Sequence, residues 1–146
     1  MFIKQEETME IKYINNTQIQ TYGTSGKGSF TCNYDTLVRL FGEPLKGSDD
    51  YKTQAEWDIE YKDGTITTIY DWKQGKGYLG QEGIEPNEVI CWNIGGNHGT
   101  NSVEHLKDFF ISKGYGISNS RYSDFEVHEV KRDEFGRATT IMLPCN

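Results

Sequence analysis

The chain has 146 residues, a formal net charge of -7 and an aromatic content of 13%. This length suits one domain with one buried core, and a disordered chain would be poorer in aromatic residues. The acidic balance argues against a general affinity for DNA, RNA or anionic membranes, because these partners require clustered lysine and arginine. We therefore expect a single folded domain over residues 1–146, with no nucleic-acid partner and no membrane partner.

The cysteines and histidines point to neither a metal centre nor a disulfide framework. Cys32, Cys91 and Cys145 have no CxxC or CxxxC spacing, and the three histidines form no HxH or HExxH motif. The N-terminal stretch lacks the apolar core of a signal peptide, and no apolar run has membrane-spanning length. The sequence predicts reduced thiols, with Cys91 a buried inert one, no metal, no cofactor and a cytoplasmic location.

The first third of the chain predicts strands, a loop and a helix. Strand propensity is found in "MEIKYI" and "TQIQTY". The following "GTSGKGSF" is predicted to be a flexible polar loop, in which Ser25, Lys27 and backbone amides can cradle a phosphate; a plain flexible turn is the alternative. Asn33 is the expected N-cap of a short helix, "YDTLVRLF", which Gly42 and Pro44 terminate.

The clearest local signal is a β-hairpin in "AEWDIEYKDGTITTIYDWK". A two-residue turn at Asp63-Gly64 places Glu56 opposite Asp71 and directs Tyr70 and Trp72 towards the apolar core face. The opposite face is then acidic, and either solvent screens the like charges of Glu56 and Asp71, or Lys73, another cation or a ligand group lies between them. This acidic sheet face consists of Glu56, Asp58, Glu60 and Asp71.

The stretch "ICWNIGGNHG" joins a predicted strand to a predicted helix, "SVEHLKDFFISKG", which Asn101 caps. Gly95 and Gly96 can expose backbone N–H groups beside the helix N-terminus, an arrangement that favours anions. Asn97 and His98 add polar groups for recognition. The alternative is a plain turn that needs glycine. His98 would be the acid or base of an enzyme, but no partner residue lies at a diagnostic spacing from it.

Together these elements predict an α+β fold, a mostly antiparallel sheet with two short helices packed on one face. Val103, Leu106, Phe109 and Phe110 form the expected buried stripe of the second helix. The last stretch, "FEVHEVKRDEFGRATTIML", is a second hairpin, so that residues 118–146 form a C-terminal addition to a core over about 13–117. Open sheet edges favour a homo-oligomer.

Several motifs between residues 22 and 115 resemble one protein family. They are "GTSGKGSF", "LVRLFGEP", "AEWDIEYKDGTITTIYDWK" and "CWNIGG", against a family pattern of GTSxxG, LVExFGEP, AEWxxxFxDGTxATIYD[WY]K and WHIGG. The family consists of small uncharacterised proteins encoded by bacteriophages and some large DNA viruses. Asn93 stands where the family has histidine, which argues against acid–base chemistry at this position. The resemblance implies a viral accessory protein of the host cytoplasm.

The resemblance and the glycine-rich stretches lead to one leading functional hypothesis. We expect an anti-defence protein that binds and sequesters a small nucleotide-type immune signalling molecule. Replacing Asn97 and His98 with alanine should then abolish binding and leave stability nearly unchanged. The predicted ligand-binding residues are Ser25, Lys27, Tyr70, Trp72, Lys73, Asn93, Gly95, Gly96, Asn97 and His98.

Two alternatives from other functional classes stay open. A protein-binding inhibitor of a host defence protein would use the acidic sheet face, which must then be exposed and free of pockets. A phosphodiesterase-like enzyme that degrades a nucleotide messenger would use His98, and this requires a carboxylate or a second histidine within hydrogen-bond reach of His98.

Overall fold

A computed structural model describes residues 10–47 and 51–139 of the chain. Nine strands and three helices are found in these residues. The strands are β1 (Ile11–Ile14), β2 (Ser25–Thr31), β3 (Glu56–Tyr61), β4 (Ile66–Tyr70), β5 (Cys91–Gly96), β6 (Tyr115–Ser118), β7 (Phe125–Glu129), β8 (Lys131–Arg132) and β9 (Ala138–Thr139). The helices are α1 (Tyr34–Phe41), α2 (Lys76–Leu79) and α3 (Ser102–Ser112), and two short 3-10 turns lie at Gly80–Glu82 and Pro86–Glu88.

Seven of the strands form one sheet in the order β1-β3-β4-β5-β2-β7-β6. Only β2 and β7 pair in parallel within this sheet; its other neighbours are antiparallel. Strands β8 and β9 form a separate two-stranded ribbon. The predicted α+β class with a mostly antiparallel sheet is confirmed. The outermost strands of the large sheet are β1 and β6, and the expected homo-oligomer stays a prediction.

The two predicted helices are present as α1 and α3, and both pack on the same face of the sheet. Leu37 and Phe41 of α1, and Leu106 and Phe110 of α3, are buried in the core. The expected side-chain caps are not formed: neither Asn33 at the start of α1 nor Asn101 at the start of α3 makes a side-chain cap hydrogen bond. No helix within residues 10–47 and 51–139 is long and apolar enough to cross a membrane.

Two tryptophans lie at the centre of the core between the sheet and the helices. Trp57 of β3 and Trp92 of β5 are fully buried, with their ring centroids 5.3 Å apart in an edge-on arrangement. The indole of Trp57 donates to the Gly42 carbonyl at 2.8 Å and that of Trp92 donates to the Cys32 carbonyl at 3.0 Å. Each buried ring therefore keeps its one polar group satisfied.

The turn of the first hairpin has three residues, so the predicted two-residue turn is wrong. The Tyr61 amide donates to the Thr65 carbonyl and the Gly64 amide donates to the Tyr61 carbonyl, at 2.9 and 3.0 Å. Gly64 has a φ of 88°, a left-handed conformation that glycine adopts without a steric penalty. Asp63 stabilises this turn by accepting from the Thr65 amide at 2.9 Å, which is typical of aspartate in tight turns.

The longer turn shifts the register by one residue and reverses every side chain of β4. Glu56 pairs with Tyr70 and not with Asp71. Because successive strand residues point to opposite faces, a one-residue shift exchanges the two faces of a strand. Tyr70 thus points to the face of the sheet away from α1 and α3, which we call the outer face. The prediction that Tyr70 and Trp72 face the core is wrong.

The stretch predicted as a flexible loop over 23–30 is mostly strand β2, in the interior of the sheet. It pairs with β5 on one side and β7 on the other. Lys27 is the additional residue of a β-bulge, since Gly26 pairs with Gly95 and Gly28 with Ile94. Pairing of Gly26 and Gly28 with β5 overrides the poor strand propensity of glycine, and only Phe30 and Thr31 also pair with β7. The stretch "TQIQTY", by contrast, is irregular and not a strand.

The C-terminal stretch is partly integrated into the main sheet. β7 lies between β2 and β6, and Phe125 stacks on Phe30 with ring centroids 5.2 Å apart. Residues 125–129 therefore belong to the same core, and they are not a separate hairpin added to it. Strands β8 and β9 form a ribbon of their own. The end of the predicted second hairpin extends into residues 140–146, which lie outside the described residues.

The two cysteines in the described residues differ in state. Cys32 is a buried free thiol, and burial raises its pKa far above the ordinary range. Cys91 is disulfide-bonded, so the predictions of reduced thiols and of a buried inert Cys91 are wrong. Strand alternation explains the difference, because Trp92 points into the core and its neighbour Cys91 points to the outer face, where it is only partly buried.

Candidate functional site

The outer face of the sheet contains a cleft of about 280 Å³. We call it the outer-face cleft. Strands β2, β3, β4 and β5 and the segments that flank them line it. Its lining residues are Thr21, Thr24, Ser25, Gly26, Thr53, Glu56, Thr68, Tyr70, Trp72 and Gly95.

The floor of the cleft is formed by small residues on three neighbouring strands. Thr68 of β4 pairs with Gly95 of β5, which pairs in turn with Gly26 of β2. A Cβ atom at Gly95 would collide with the Thr68 hydroxyl. The floor is therefore low because two of its three residues lack a side chain, and the third has a short one.

Two aromatic rings form one wall of the cleft. Tyr70 and Trp72 have ring centroids 6.4 Å apart and are nearly perpendicular. Trp72 is 41% exposed, so part of its ring is open to a ligand that stacks. Burial, followed by the charge of Glu56, raises the pKa of the Tyr70 hydroxyl. Tyr70 therefore presents a neutral hydroxyl that can donate a hydrogen bond at physiological pH.

Two lysines lie beside the exposed tryptophan at the rim of the cleft. The Nζ atoms of Lys52 and Lys73 lie 5.3 and 5.8 Å from the centre of the Trp72 ring, within cation–π range. The Lys73 amide donates to the Lys52 carbonyl at 2.7 Å. Lys73 has a φ of 59°, a left-handed conformation that costs a non-glycine residue roughly 1–3 kcal/mol. The fold thus holds two positive charges at this rim.

A pair of carboxyl groups lies on the outer face of β3. Glu56 lines the cleft, and Asp58 follows it on the same face and is 9% exposed. Burial, followed by the hydrogen bond and charge of Glu56, raises the pKa of Asp58 to about 8. At neutral pH Asp58 therefore keeps its proton, which it shares with Glu56 in a hydrogen bond. The Asp58 Oδ1 atom is buried and has no hydrogen-bond partner.

The predicted acidic sheet face does not form as expected. Asp71 is fully buried and accepts hydrogen bonds from the Gln54 and Ala55 amides at 2.7 and 3.0 Å. It holds the start of β3 and is not paired with Glu56. Asp58 is buried and protonated, and the Glu60 carboxylate lies 4.0 Å from the Lys12 ammonium. Glu56 is thus the member of this set that lines the cleft.

The residues of "GGNHG" do not form one cradle. Gly95 is part of the cleft floor, but Gly96 faces the helices, where a Cβ atom would collide with Ser102. The Asn97 side chain connects the loop after β5 to the first hairpin by hydrogen bonds. Its Oδ1 atom accepts from the Ile66 amide at 2.9 Å and its Nδ2 atom donates to the Gly64 carbonyl at 3.0 Å. The Asn97 side chain is therefore structural.

His98 is exposed and lies outside the cleft. It makes no hydrogen bond or ion pair with residues 10–47 or 51–139. The other two histidines have carboxylate neighbours, since His105 lies 2.8 Å from Asp63 and His128 lies 3.5 Å from Glu126. The partner that a catalytic His98 requires is not found in the described part of the chain.

The structure brings together about half of the predicted ligand-binding residues. Ser25, Tyr70, Trp72 and Gly95 line the cleft, and Lys73 lies at its rim. Asn93 lines a neighbouring depression of about 320 Å³. Apart from Lys73 at the rim, the predicted residues that line neither are Lys27, Gly96, Asn97 and His98.

Most of the polar residues that line the cleft were not predicted from the sequence. Thr21 lies in a stretch predicted to be a strand and Thr24 in the predicted flexible loop, and the predicted hairpin register turned Thr68 to the core face. Glu56 was assigned to the acidic sheet face and was not among the predicted ligand-binding residues. A three-residue turn at 62–64 would have placed Thr68 and Glu56 on the same face, since the register then pairs Glu56 with Tyr70.

No group of three or more histidine, cysteine, aspartate or glutamate side chains suited to a metal ion lies within the described ranges. Comparison with known proteins gives no match: no family model, no curated protein and no solved structure matches this chain.

Proposed function

We propose that this protein binds a nucleotide-type small molecule in the outer-face cleft and holds it without chemical conversion. The observation that carries the proposal is the composition of the cleft. It combines an exposed aromatic wall, a row of hydroxyl groups and one carboxylate with two lysines at the rim. A nucleotide has a complementary set of parts: a flat base, a hydroxyl-bearing sugar and a phosphate.

The aromatic wall supplies the surface on which a base can stack. Trp72 is partly exposed, and Tyr70 stands nearly perpendicular to it. Stacking of a base on an aromatic side chain contributes about 1–3 kcal/mol by alanine substitution. The lysines at the rim already contact Trp72 through cation–π interactions. They can pair with a phosphate while the base occupies the ring, because an ammonium group is a compact and mobile point charge.

The hydroxyl groups suit the polar edges of a sugar or a base. Thr21, Thr24, Ser25 and Thr68 all line the cleft, and a hydroxyl both donates and accepts. The volume of about 280 Å³ lies near the lower end for small-molecule pockets, which span about 300–1,000 Å³. A single nucleotide unit suits this space, and the remainder of a larger messenger would extend past the rim.

Binding without turnover is favoured over cleavage. An enzyme of the phosphodiesterase type was expected to use His98, which lies outside the cleft and has no partner among the described residues. A protein-binding inhibitor was expected to use an exposed acidic face without pockets. The outer face instead has a cleft, and two of the four acidic residues on which that inhibitor depended are buried.

The biological role that we propose comes from the resemblance to phage and large-virus accessory proteins. A viral protein that binds a nucleotide messenger tightly lowers its free concentration in the host cytoplasm. It thereby prevents a host defence receptor from responding. We propose sequestration of this kind as the anti-defence activity, which requires affinity and cytoplasmic exposure but no catalysis.

The test is a thermal-shift screen of the purified chain with mononucleotides, cyclic di- and trinucleotides and ADP-ribose-type molecules. A ligand that binds only the native state raises the melting temperature. We expect a shift with at least one of them and recovery of the intact molecule after heat denaturation. The Trp72→Ala variant should lose the shift. The Phe135→Ala variant should keep it, because Phe135 is an exposed aromatic residue that does not line the cleft. Conversion of the ligand, or an equal shift in both variants, would contradict the proposal.

A further inference from the structure

Glu56 gives the cleft a definite chemical preference. Building on the proposed nucleotide-binding function, we propose that the Glu56 carboxylate binds the neighbouring 2′- and 3′-hydroxyl groups of a ribose. The cleft would therefore select ribonucleotides over their deoxy forms, with the phosphate directed towards Lys52 and Lys73.

The charges around the cleft fix the orientation of the ligand. Glu56 is the acidic residue that lines the cleft in the described part of the chain, and a phosphate placed against it would be repelled. The ligand must therefore present hydrogen-bond donors to this carboxylate. The two rim lysines contact Trp72, so the anionic part of the ligand is stabilised at the tryptophan end of the wall.

A second carboxyl group lies beside Glu56 on the sheet. Asp58 occupies the next outer-face position of β3 and is 9% exposed, whereas Glu56 lines the cleft. A carboxylate has about four lone-pair sites on its two oxygens, so it can accept from several donors at once. A sugar diol presents two such donors side by side.

The surroundings of Glu56 match a sugar with adjacent hydroxyl groups. Tyr70 is its cross-strand partner, and Thr68 and Thr53 also line this part of the cleft. Acidic side chains bind ribose hydroxyls in dinucleotide-binding proteins for the same chemical reason, since a carboxylate accepts from a diol. A second source of paired donors is the N1–H and N2–H₂ edge of guanine, and the experiment separates these two sources.

The experiment is isothermal titration calorimetry of the full chain with 5′-AMP, 2′,3′-dideoxy-AMP and 5′-GMP. Loss of hydrogen bonds to a charged acceptor typically lowers affinity by about 10-fold or more. We therefore expect AMP and GMP to bind with similar affinity, and dideoxy-AMP to bind at least about 10-fold more weakly. The Glu56→Gln variant should lose most of this preference.

Glu60→Gln is the matched control, because Glu60 lies on the same face of the same strand and does not line the cleft. It should keep the preference, and melting curves of both variants report whether they are folded. Equal binding of AMP and dideoxy-AMP would overturn the ribose assignment and leave the proposed function standing. A preference for GMP over AMP that is independent of the sugar would overturn it in favour of the base edge. If none of the three nucleotides binds, both proposals fail.

Discussion

Replacing Asp58 with asparagine should make the protein more stable at neutral pH, by an amount that grows as the pH rises. The pKa of this buried carboxyl is raised from 3.8 to about 8 by burial and by Glu56. Between these two values the folded state keeps the proton and the unfolded chain releases it. Raising the pH therefore favours unfolding of the natural protein. An asparagine amide cannot titrate and still donates a hydrogen bond to Glu56.

The magnitude follows from proton linkage. A difference of one bound proton changes the free energy of unfolding by about 1.4 kcal/mol per pH unit. Access of water to a partly solvated site reduces this figure, so it is a ceiling. Between pH 5 and pH 7 the Asp58→Asn variant should gain up to about 3 kcal/mol relative to the natural chain. In a chain of this length, this gain corresponds to roughly 6–12 °C in melting temperature.

The assay is urea unfolding of both proteins at pH 5, 6, 7 and 8. The variant and the natural chain should diverge steadily between pH 5 and pH 7 and then run parallel above the pKa of Asp58. Glu60→Gln is the control on the same strand face, and its curve should follow that of the natural chain. Parallel curves for Asp58→Asn and the natural chain over pH 5–7 would refute the reasoning, since Asp58 would then be ionised throughout.

Three further predictions concern the core, the corner and the cysteines. Asn97→Ala should lower the free energy of unfolding by about 2–3 kcal/mol, because it leaves the Ile66 amide without its acceptor. His98→Ala, the control, should change it by less than about 0.5 kcal/mol. Equal effects of the two substitutions in urea unfolding would contradict the structural role of Asn97. Trp57→Ala should lower it by about 3–5 kcal/mol, and a loss below about 1 kcal/mol would show that this ring is not the centre of the core. Alkylation of the unreduced chain followed by peptide mapping should label Cys32 only after denaturation, because it is buried, and should leave Cys91 unlabelled, because it is disulfide-bonded. Labelling of Cys91 in the denatured, unreduced chain would refute the disulfide.

The elements with strong local periodicity could be predicted from the sequence. The apolar residues of α3 recur at helical spacing, and Leu106 and Phe110 are buried as expected. The alternation along β3 also placed Trp57 and Ile59 in the core correctly. These predictions succeed because one face of a short segment contains enough apolar surface to decide its orientation.

The register of the first hairpin could not be predicted from the residues alone. Asp63-Gly64 fits a two-residue turn, and it fits equally well the last two positions of a three-residue turn with a left-handed glycine. The sequence of β4, "ITTIY", has no regular alternation of apolar and polar residues. In the structure Thr67 and Thr68 are both buried, although they point to opposite faces. Without a clear alternation, no local signal determines which face of β4 is directed to the core. The wrong register placed Thr68 and Tyr70 on the core face, so the cleft could not be predicted.

The interior position of β2 depends on contacts that are distant in sequence. Its glycines indicate a loop by local propensity, and pairing with β5 makes the segment a strand. The role of Asn97 also depends on distant residues, since its side chain accepts from the Ile66 amide at the start of β4 and donates to the Gly64 carbonyl in the turn before it. Side chains that serve the fold in this way resemble ligand-binding residues when only their types are known.

The most direct test of the central claim, that a nucleotide binds in the outer-face cleft, is a two-dimensional amide NMR titration of the folded chain with 5′-AMP. The account predicts that the largest shift changes come from the cleft, at the amides of Ser25, Gly26, Thr68 and Gly95, and from the Trp72 indole N–H. Shift changes confined to residues 96–99, or changes that are absent from the cleft, would contradict it.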